Sequence, residues 1–524
     1  MPDLLAQQLR NWEPPVSFTR QVMLNAQRMP RRDAIVFDGR TMSYGALASR
    51  VRRLMRGLDK LRVRQNEIVT LLASNHPDML VAYLAILGVG AIPAPINYRL
   101  RVEDMRYIVE NCDSRTLIVD TAHLELLPQI AGSVEHVLVI GDNAGLPLPS
   151  GAIPLDRAVS REDDGPCDMI RSHSMSLLHT SGTTGRPKGA LRSKWGMEER
   201  ALEQGFRPND RMLCVMPVCL SAGYGYTLLP LYLGATAYLE KEVDEDRILD
   251  LIGREGITST FMIPSILQRV MDHPGIGALN DVALRTLQSG AGPVPMDLRE
   301  AVTDRFGPVL GIYAGSTETG PYANYGGRDI LRKSEGNCIG RPFFGVEICL
   351  VGEDGAPVNP GETGEIAVRS HLNFSGYWRE PELTAETSLN GMVGVGDLGR
   401  FDDEGFLYLV GRKRDVIKSG GINVPAAQVE SVIERHPAVA EVACIGLPDR
   451  QFTEVICAAI VLKPGARLDL ADLQTFCSDS LSRFQLPRRL VLLGQLPRNL
   501  TGRVIKDELR NMIEKDFEES QTHD

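Results

Sequence analysis

The segment LLHTSGTTGRPKGA, residues 177–190, joins an apolar run to a loop of hydroxyl-bearing residues and glycines. The apolar run ends at His179, and Lys188 adds a positive charge three residues beyond Gly185. Such a loop surrounds phosphate oxygens with donors from backbone N–H groups and side chains. The spacing between glycine and lysine differs from that of the P-loop G-x-x-x-x-G-K-[ST]. A surface turn is the alternative, but the ordered combination favours a phosphate-binding loop formed by Thr180, Ser181, Gly182, Thr183, Thr184 and Gly185.

Strand-like runs alternate with helical patterns on both sides of this loop. Upstream, Ser43 is a plausible N-cap for an amphipathic helix, and a second helix is expected from about Pro77. The helix VEDMRYIVENC (102–112) then precedes the strand TLIVD (116–120). Downstream, strands are predicted at RMLCVMP, ATAYL, STFMI, LRTLQS and VLGIY, with helices between them. This alternation predicts an α/β fold with doubly wound, largely parallel sheets.

The character of the chain changes in its last third. Between Gly336 and Gly411 glycine and proline become dense and the helical period disappears, which favours a small antiparallel barrel or sheet. Beyond Gly411 the helices AAQVESVIERH and LADLQTFCSDSL alternate with the strands AEVACIGL, VICAAIVL and RRLVLLG. This last unit is predicted to be a compact α+β domain.

Composition excludes several classes of protein. The 524 residues are 43% hydrophobic and 24% charged, which is typical of a globular protein rather than a disordered one. A net charge of −10 without a dense basic block disfavours binding to nucleic acid or anionic lipid. The nine cysteines are scattered, which favours reduced thiols in the cytoplasm over a disulfide framework. No signal peptide is expected, and the apolar stretches 79–96 and 212–239 are broken by glycine and proline, unlike a spanning helix.

Further motifs stand in a fixed order along the chain, one before the predicted phosphate-binding loop and the others after it. They are PAPINYRL (93–100), SGAGPVP (289–295), AGSTETG (314–320), GRP (340–342), GETGEIAVRS (361–370), GYW (376–378), VGDLG (395–399), GRKRDVIKSGGINVP (411–425) and LPRNLTGRVIKDEL (496–509). The ordered set resembles the adenylate-forming enzymes, which include acyl-CoA synthetases, carrier-loading adenylation domains and luciferases. The resemblance covers nearly the whole chain. It implies a large N-terminal domain, residues 1–411, that binds ATP and the acyl group, and a mobile C-terminal domain, residues 412–524.

The resemblance also assigns roles around the triphosphate. Glu318 corresponds to the Mg²⁺ ligand of the family, together with the hydroxyl of Thr184, and Thr317 would hold an oxygen of the α-phosphate. Because Mg²⁺ takes only one or two protein oxygens and keeps several waters, a single carboxylate is chemically sufficient. A surface carboxylate is the alternative for Glu318. Residues that would surround ATP without bearing charge are Gly290, Ala291, Gly292, Ala314, Gly315 and Ser316.

Other implied roles fall on both sides of the expected domain boundary. Asp397 would accept hydrogen bonds from the ribose hydroxyls, and Arg412 would contact the ribose or a phosphate. Arg414 corresponds to the hinge of the family, about which the C-terminal domain rotates between two half-reactions. After that rotation Lys418 and the backbone of Gly420–Gly421 would face the site and line the path of a thiol.

Three positions depart from the pattern of the family. Ala314 replaces the aromatic residue that stacks on adenine, while Tyr313 stands one residue earlier and, by the strand period, on the other face. Leu220 replaces a histidine beside the acyl group. Arg503 replaces the lysine that contacts the acid carboxylate and α-phosphate, with Lys506 three residues on. Arginine and lysine are not interchangeable at a fixed site, so Arg503 either does the job with altered geometry or adenylation is slow.

The resulting hypothesis is an ATP-dependent ligase that joins a carboxylic acid to a thiol through an acyl-AMP intermediate. ATP, Mg²⁺ and coenzyme A are the implied cofactors, and a separate carrier protein is the alternative acceptor. The uncharged stretch 212–239 favours an apolar acyl or aryl acid. A nucleotide-binding protein with weak ligase activity is a second hypothesis, and an adenylate-dependent oxygenase a third. The sequence does not define the oligomeric state, for which a homodimer is one alternative.

Overall fold

The computed structural model describes residues 18–141, 148–159, 175–180, 186–192, 197–332, 336–419, 422–449, 452–498 and 504–521. In the first part of the chain helices alternate with strands, most of which form a parallel sheet. Its elements are α1 (Phe18–Arg28), β1 (Asp33–Phe37), β2 (Arg40–Ser43), α2 (Tyr44–Lys60), β3 (Ile68–Leu72), α3 (Pro77–Gly88), β4 (Ile92–Pro95), α4 (Val102–Asn111), β5 (Thr116–Asp120), α5 (Leu127–Ile130), β6 (His136–Ile140), β7 (Ala152–Pro154) and α6 (Leu155–Ala158), with a 3₁₀ helix at Thr121–Leu126.

Five of these strands form the first sheet, in the order β4-β3-β5-β6-β7, and all of its pairs are parallel. The predicted N-cap at Ser43 and the predicted helix start near Pro77 are confirmed. The hydroxyl of Ser43 accepts a hydrogen bond from the N–H of Ala46, and Pro77 occupies the first turn of α3. Helix α3 is buried on all sides, which explains its near-uniform apolar sequence.

Two antiparallel strands flank the predicted phosphate-binding loop in the sequence. Strands β8 (Ser176–Thr180) and β9 (Lys188–Arg192) are antiparallel. The second, larger sheet contains β10 (Arg211–Cys214), β11 (Thr236–Leu239), β12 (Ser259–Phe261), β13 (Thr286–Gly290), β14 (Leu310–Ser316) and β15 (Gly320–Gly326). Its helices are α7 (Met197–Glu203), α8 (Ser221–Leu233), α9 (Glu245–Arg254), α10 (Pro264–Asp272) and α11 (Met296–Phe306), with 3₁₀ helices at Pro274–Ala278 and Gly327–Leu331.

The parallel core of the second sheet has the order β11-β10-β12-β13-β14, so the carboxyl ends of these strands lie along one edge. β1 extends it in parallel beyond β11, and β15 is antiparallel to β14. In doubly wound sheets, ligands bind outside the carboxyl ends of the strands. The motifs at Gly290 and at Ala314–Glu318 lie at this edge.

Through β15 the second sheet continues into the predicted antiparallel region. This region contains β16 (Asn337–Pro342), β17 (Glu347–Val351), β18 (Gly364–Arg369), β19 (Gly376–Tyr377), α12 (Pro381–Glu386), β20 (Ser388–Leu389), β21 (Met392–Phe401) and β22 (Leu407–Arg412). Five strands pair in the order β17-β18-β21-β22-β16, and the short β19 leaves them to pair with β9.

The C-terminal unit has its own sheet and its own hydrophobic clusters. After a 3₁₀ turn at Lys413–Asp415 come β23 (Val416–Ser419), β24 (Ile422–Pro425), α13 (Ala426–Ile433), β25 (Val439–Asp449), β26 (Thr453–Leu462), α14 (Leu470–Ser478), β27 (Arg489–Leu492) and α15 (Lys506–Gln521). The predicted α/β class with an α+β C-terminal unit is therefore confirmed. Among the helices that the structure describes, none has the length and hydropathy of a membrane span.

Candidate active site

Strands β8 and β9, which flank the predicted phosphate-binding loop, place Thr180 and Lys188 directly opposite each other, at the last residue of β8 and the first residue of β9. Residues 181–185, which include Ser181, Gly182, Thr183, Thr184 and Gly185, lie outside the described residues. The ammonium of Lys188 lies 5.9 Å from the ring centroid of Tyr377. A lysine side chain at the mouth of the predicted loop is therefore part of a larger cluster.

Glu318 belongs to the same cluster. The hydroxyl of Tyr377 donates to Oε1 of Glu318 at 2.8 Å, and the N–H of Phe374 donates to the carbonyl of Glu318 at 2.6 Å. Burial, and then the negative charge of Glu318, raise the pKa of Tyr377 far above its usual value. The phenol therefore stays a neutral donor that orients the carboxylate.

This donor set fits Mg²⁺. The described residues contain no group of three or more His, Cys, Asp and Glu side chains that could hold a metal by themselves. One oriented carboxylate beside a phosphate-binding loop suits an ion that keeps several waters and binds substrate phosphates. Glu318 would hold Mg²⁺ here, and the ion would neutralise charge on the phosphate oxygens.

The turn that carries Glu318 is built by small residues between β14 and β15. Oγ of Ser316 accepts a hydrogen bond from the N–H of Thr319 at 3.1 Å. A Cβ on Gly315 would lie 2.9 Å from the carbonyl oxygen of Gly320, so the close approach of β14 and β15 at this point requires glycine. The turn thereby places Thr317 and Glu318 at the carboxyl edge of the sheet.

A buried arginine, which sequence reasoning missed, holds this turn. One guanidinium nitrogen of Arg192, on β9, donates to the carbonyl of Thr317 at 2.6 Å, and the other donates to the carbonyl of Leu372 at 3.4 Å. Burial lowers the pKa of Arg192. Arg192 thus links the strand after the phosphate-binding loop to the backbone next to Glu318. No pattern marked it, because its partners lie more than a hundred residues away.

The run Gly290–Ala291–Gly292 ends β13 at the same edge. A Cβ on Gly290 would lie 2.7 Å from the carbonyl oxygen of Tyr313, so this strand contact also requires glycine. Ala291 has a φ of 68°, in the left-handed region, and is exposed together with Gly292. These features leave an exposed stretch of backbone at the carboxyl edge of the sheet, where adenine is predicted to approach.

Asp397 and Arg412 form a second pair, on neighbouring positions of β21 and β22. Nε of Arg412 lies 2.5 Å from Oδ1 of Asp397, and the guanidinium also donates to the carbonyl of Val395 at 3.4 Å. Burial raises the pKa of the neighbouring Tyr322 far above its usual value, and the charge of Asp397 adds to this effect. The two residues assigned to the ribose are therefore brought together.

The structure shows the surroundings of Ala314 and Leu220, two positions that depart from the pattern of the family. Ala314 is buried against Tyr322 on one face of β14, while Tyr313 lies on the opposite face, as the strand period predicted. Asn75 fixes the loop before Leu220. Its Oδ1 accepts a hydrogen bond from the N–H of Val218, and its Nδ2 donates one to the carbonyl of Met216. Asn75 also went unnoticed in the sequence, because a single buried amide gives no pattern.

Three of the predicted site residues in the C-terminal unit lie outside the described part of the chain: Gly420, Gly421 and Arg503. The side chain of Lys418 is exposed on β23, and its N–H donates to Glu454 at 2.6 Å. Lys506 lies 2.6 Å from Oε1 of Glu430 and 3.9 Å from Asp415. Lys506 is therefore held in ion pairs within the C-terminal unit.

Comparison with known proteins agrees with this geometry. Residues 22–378 match the family model "AMP-binding enzyme", and residues 428–503 match "AMP-binding enzyme C-terminal domain". An indoleacetate–CoA ligase from Aromatoleum aromaticum is 32% identical over 92% of this chain and 96% of its own length.

Solved structures are similar over nearly the whole chain. An amide bond synthetase from Marinactinospora thermotolerans superposes with a TM-score of 0.85 at 26% identity, covering 95% of this chain and all of that one. An anthranilate CoA ligase in complex with anthranoyl-AMP superposes with a TM-score of 0.83 at 25% identity, covering 95% of this chain and 98% of that one. The chain belongs to the AMP-binding enzyme family of adenylate-forming acid–thiol ligases.

Proposed function

We propose that this enzyme activates an apolar aryl or acyl acid with Mg²⁺·ATP and transfers the acyl group to coenzyme A. The observation that carries the proposal is the convergence of Lys188, Tyr377 and Glu318 at the mouth of the phosphate-binding hairpin. The relatives support an aryl acid, because their substrates include indoleacetate and anthranilate.

In the first half-reaction, a carboxylate oxygen attacks the α-phosphorus of ATP, the bond to the β-phosphate oxygen breaks, and pyrophosphate leaves. Lys188 and the loop Thr180–Gly185 would bind the phosphates, and Glu318 and Thr184 would hold Mg²⁺. Thr317 binds an α-phosphate oxygen, and Arg503 supplies the charge that the family lysine provides. No nucleophilic side chain is needed, because positioning and charge stabilisation lower the barrier.

In the second half-reaction, the acceptor thiol releases its proton to solvent and attacks the acyl carbon. The bond between the acyl carbon and the phosphate oxygen breaks, so a thioester forms and AMP leaves. We propose that residues 412–524 rotate about Arg414 as one domain against residues 1–411. Asp397 and Arg412 bind the ribose, and Lys418 with the Gly420–Gly421 backbone lines the path of the thiol. The cysteines among the described residues are free thiols, which supports a reducing, cytoplasmic setting for the enzyme.

A second candidate differs only in its acceptor. In this candidate an amine replaces the thiol, which the similarity to an amide bond synthetase supports. A free-standing carrier protein is a further thiol acceptor. All of these share the first half-reaction, so the adenylation site is proposed for each of them.

The test separates the two half-reactions. Acid-dependent exchange of pyrophosphate into ATP is measured for aromatic, short-chain and fatty acids. Release of AMP is then measured with coenzyme A, an amine or a phosphopantetheine-bearing carrier protein. Exchange with an aryl acid, followed by CoA-dependent AMP release, is expected. The absence of exchange with every acid would contradict the ligase and favour the nucleotide-binding protein with weak activity.

A further inference from the structure

A cavity of about 380 Å³ opens at the amino edge of the second sheet, the edge opposite to Gly290 and Glu318. The amino ends of β13 and β14, the far end of β15 and the end of α7 line this cavity. Its volume lies in the range of small-molecule sites. None of the residues that line it takes part in the proposed adenylation reaction. The cavity is therefore separate from the candidate active site.

Three packed aromatic rings lie between this cavity and Gly290. The amide of Gln204, which lines the cavity, donates to the hydroxyl of Tyr226 at 2.7 Å. The ring of Tyr226 is stacked on that of Phe261 with centroids 4.4 Å apart, and the ring of Tyr313 lies 5.7 Å from Tyr226. A Cβ on Gly290 would lie 3.0 Å from the ring of Tyr313. The rings thus close the cavity off from the carboxyl edge of the sheet.

Two glutamines that line the cavity, Gln204 and Gln288, are almost fully buried, each with 4% of its surface exposed. Nε2 of Gln288 donates to the backbone carbonyl of Gln204 at 3.3 Å, and Nε2 of Gln204 is bound to Tyr226. These bonds orient both amides but use only their N–H groups. The Oε1 atoms of both side chains accept no hydrogen bond from any residue that the structure describes.

A third amide oxygen in the lining also lacks a donor. Asn324, on β15, has a buried Oδ1 without a hydrogen-bond partner in the described part of the chain. Gly311, on β14, makes room for the amide of Gln288, because a Cβ there would lie 2.7 Å from its Oε1. Buried acceptors in native proteins nearly always have a donor, and three exceptions at one cavity need an explanation. A ligand that donates hydrogen bonds would supply it.

Two arginines line the same cavity, but their N–H groups are directed at the protein. Arg285 donates to the carbonyl of Gly205 at 2.9 Å and forms an ion pair with Asp210. Arg341 donates through Nε and Nη2 to the carbonyl of Glu404, at 3.3 and 3.2 Å. Because protein oxygens already occupy these guanidinium groups, the arginines do not favour an anionic ligand.

Two exposed carboxylates at the cavity favour a cation instead. Oε1 of Glu203 accepts a hydrogen bond from the N–H of Phe344 at 2.9 Å, and Asp329 lies in the 3₁₀ helix after β15. Neither carboxylate forms an ion pair with a residue in the described ranges. An ammonium group carries a positive charge and three N–H donors, and it has no acceptor. It therefore suits the amide oxygens and the carboxylates alike.

We propose that this cavity is a second ligand site, which binds a small aliphatic amine. The amide oxygens of Gln204, Gln288 and Asn324 accept hydrogen bonds from the ammonium group, and the carboxylates of Glu203 and Asp329 balance its charge. The ligand carries one or two ammonium groups on a short alkyl chain. This inference goes beyond the proposed function and does not depend on it, because the site uses none of the adenylation residues.

Calorimetric titration of the full chain, without ATP or acid and at constant ionic strength, tests the class of ligand. The three probes have the same carbon chain and differ only in their end groups: butane-1,4-diamine, butane-1,4-diol and butane-1,4-disulfonate. The diamine is expected to bind. The diol donates hydrogen bonds but has no charge, so it is expected to bind at least roughly tenfold more weakly. The disulfonate is expected to give no heat of binding.

Substitutions in the lining test the position of the site. Gln288→Met removes one amide oxygen at nearly constant volume, and Asp329→Asn removes one exposed charge. Each is expected to raise the Kd of the diamine by roughly tenfold or more, because a charge-assisted hydrogen bond is lost. Gln485→Met, at a buried glutamine of the C-terminal unit, is the control for the first variant. Glu347→Gln, at a surface ion pair, is the control for the second, and both controls are expected to keep the Kd of the wild type.

Glu318→Gln decides whether the diamine occupies the candidate active site instead. An unchanged Kd in this variant, with a raised Kd in Gln288→Met and Asp329→Asn, supports the cavity. A raised Kd in Glu318→Gln, with an unchanged Kd in the two cavity variants, overturns the proposal. Absence of diamine binding, or equal affinity for the diamine and the diol, overturns it as well. If Gln288→Met does not fold, Glu203→Gln at an exposed position takes its place.

Discussion

The hydroxyl of Tyr377 donates to Oε1 of Glu318 at 2.8 Å, and this contact joins segments that are 59 residues apart. It fixes one oxygen of the carboxylate and leaves the other for a cation. Tyr377 can do so because β19 pairs with β9, which places Tyr377 opposite Ala190. The same pairing brings the ring beside Lys188. One short strand therefore couples the phosphate-binding hairpin to the candidate Mg²⁺ ligand.

The first prediction concerns this pair. Glu318→Gln removes an anionic ligand and is expected to lower the rate of pyrophosphate exchange by roughly 100-fold. Tyr377→Phe keeps the carboxylate but removes its donor, so it is expected mainly to raise the Mg²⁺ concentration needed for half-maximal exchange. Titrations with Mg²⁺ distinguish the two effects. Glu347→Gln, at an exposed ion pair with Arg369, is the control and is expected to behave as the wild type.

The second prediction concerns the charge at the hairpin. Lys188→Ala is expected to raise KM for ATP by roughly 10- to 100-fold, because a charge-assisted hydrogen bond to phosphate is lost. Arg186→Ala provides a matched control. It also removes a positive charge next to the predicted loop, but the guanidinium of Arg186 lies over the ring of Tyr107. Equal effects of the two substitutions would show that only the net charge of the loop matters.

The third prediction concerns Arg192. Arg192→Lys keeps the charge but cannot span the carbonyls of Thr317 and Leu372, so the turn with Glu318 is expected to shift. A displacement of about 1 Å costs on the order of 10²-fold in kcat. Exchange kinetics at saturating ATP measure this loss, and partial rescue of Arg192→Ala by added guanidinium is expected. A variant with full kcat would show that the turn holds its position without Arg192.

The fourth prediction concerns pH. Both ring nitrogens of His179 are inaccessible and have no hydrogen-bond partner among the described residues, and burial lowers its pKa to about 4. Because the folded-state pKa lies below the unfolded value, the folded state disfavours the protonated ring. Stability is complete above about pH 6.5 and falls as the pH drops toward 4, by about 2–3 kcal/mol.

His179→Phe keeps an apolar ring at this position and removes the titration. Urea unfolding of the variant at several pH values is therefore expected to show a smaller loss of stability between pH 6.5 and 4 than the wild type. His123→Phe is the comparison, because His123 already pairs with Asp120. An equal pH dependence in wild type and His179→Phe would show that other groups cause the acid sensitivity.

Much of the fold could be predicted from local patterns. TLIVD is β5 over its full length, and the helix expected at 102–112 is α4, because a buried strand and an amphipathic helix each have their own period. The resemblance also implied that residues around Gly290 and Glu318 surround one ligand, and both segments follow strands of the parallel sheet at its carboxyl edge. Tyr377 stood within a quoted motif but had no assigned role. Its role depends on the β9–β19 pairing, which no local pattern encodes.

The contacts of Arg192 and of three packed aromatic rings illustrate what the sequence could not predict. A lone arginine at the end of a strand looks like a solvated charge, and nothing local indicates that it reaches the carbonyl of Thr317. Tyr226, Phe261 and Tyr313 come from three separate elements, and each looks like an ordinary core residue. Their meaning arises only from the distances between them.

The fifth prediction concerns which cation of the C-terminal unit serves adenylation. Lys506 forms an ion pair with Glu430 and lies near Asp415. If the side chain of Lys506 moved into the active site, both carboxylates would lose their partner. Breaking a partly buried pair of this kind costs roughly 1–3 kcal/mol. Lys506→Met is therefore expected to lower the melting temperature while largely sparing exchange. Arg503, which lies outside the described residues, remains the predicted replacement for the family lysine.

Arg503→Ala is then expected to lower pyrophosphate exchange by at least about 100-fold while sparing thioester formation from pre-made acyl-AMP. Lys418→Ala is expected to show the opposite split, because its side chain would face the site only after rotation about Arg414. Arg503→Lys should keep or raise the exchange rate. Loss of exchange in a folded Lys506→Met variant, with normal exchange in Arg503→Ala, would place the family lysine one helical turn later. If neither residue matters for exchange, the protein is a nucleotide-binding protein with weak ligase activity.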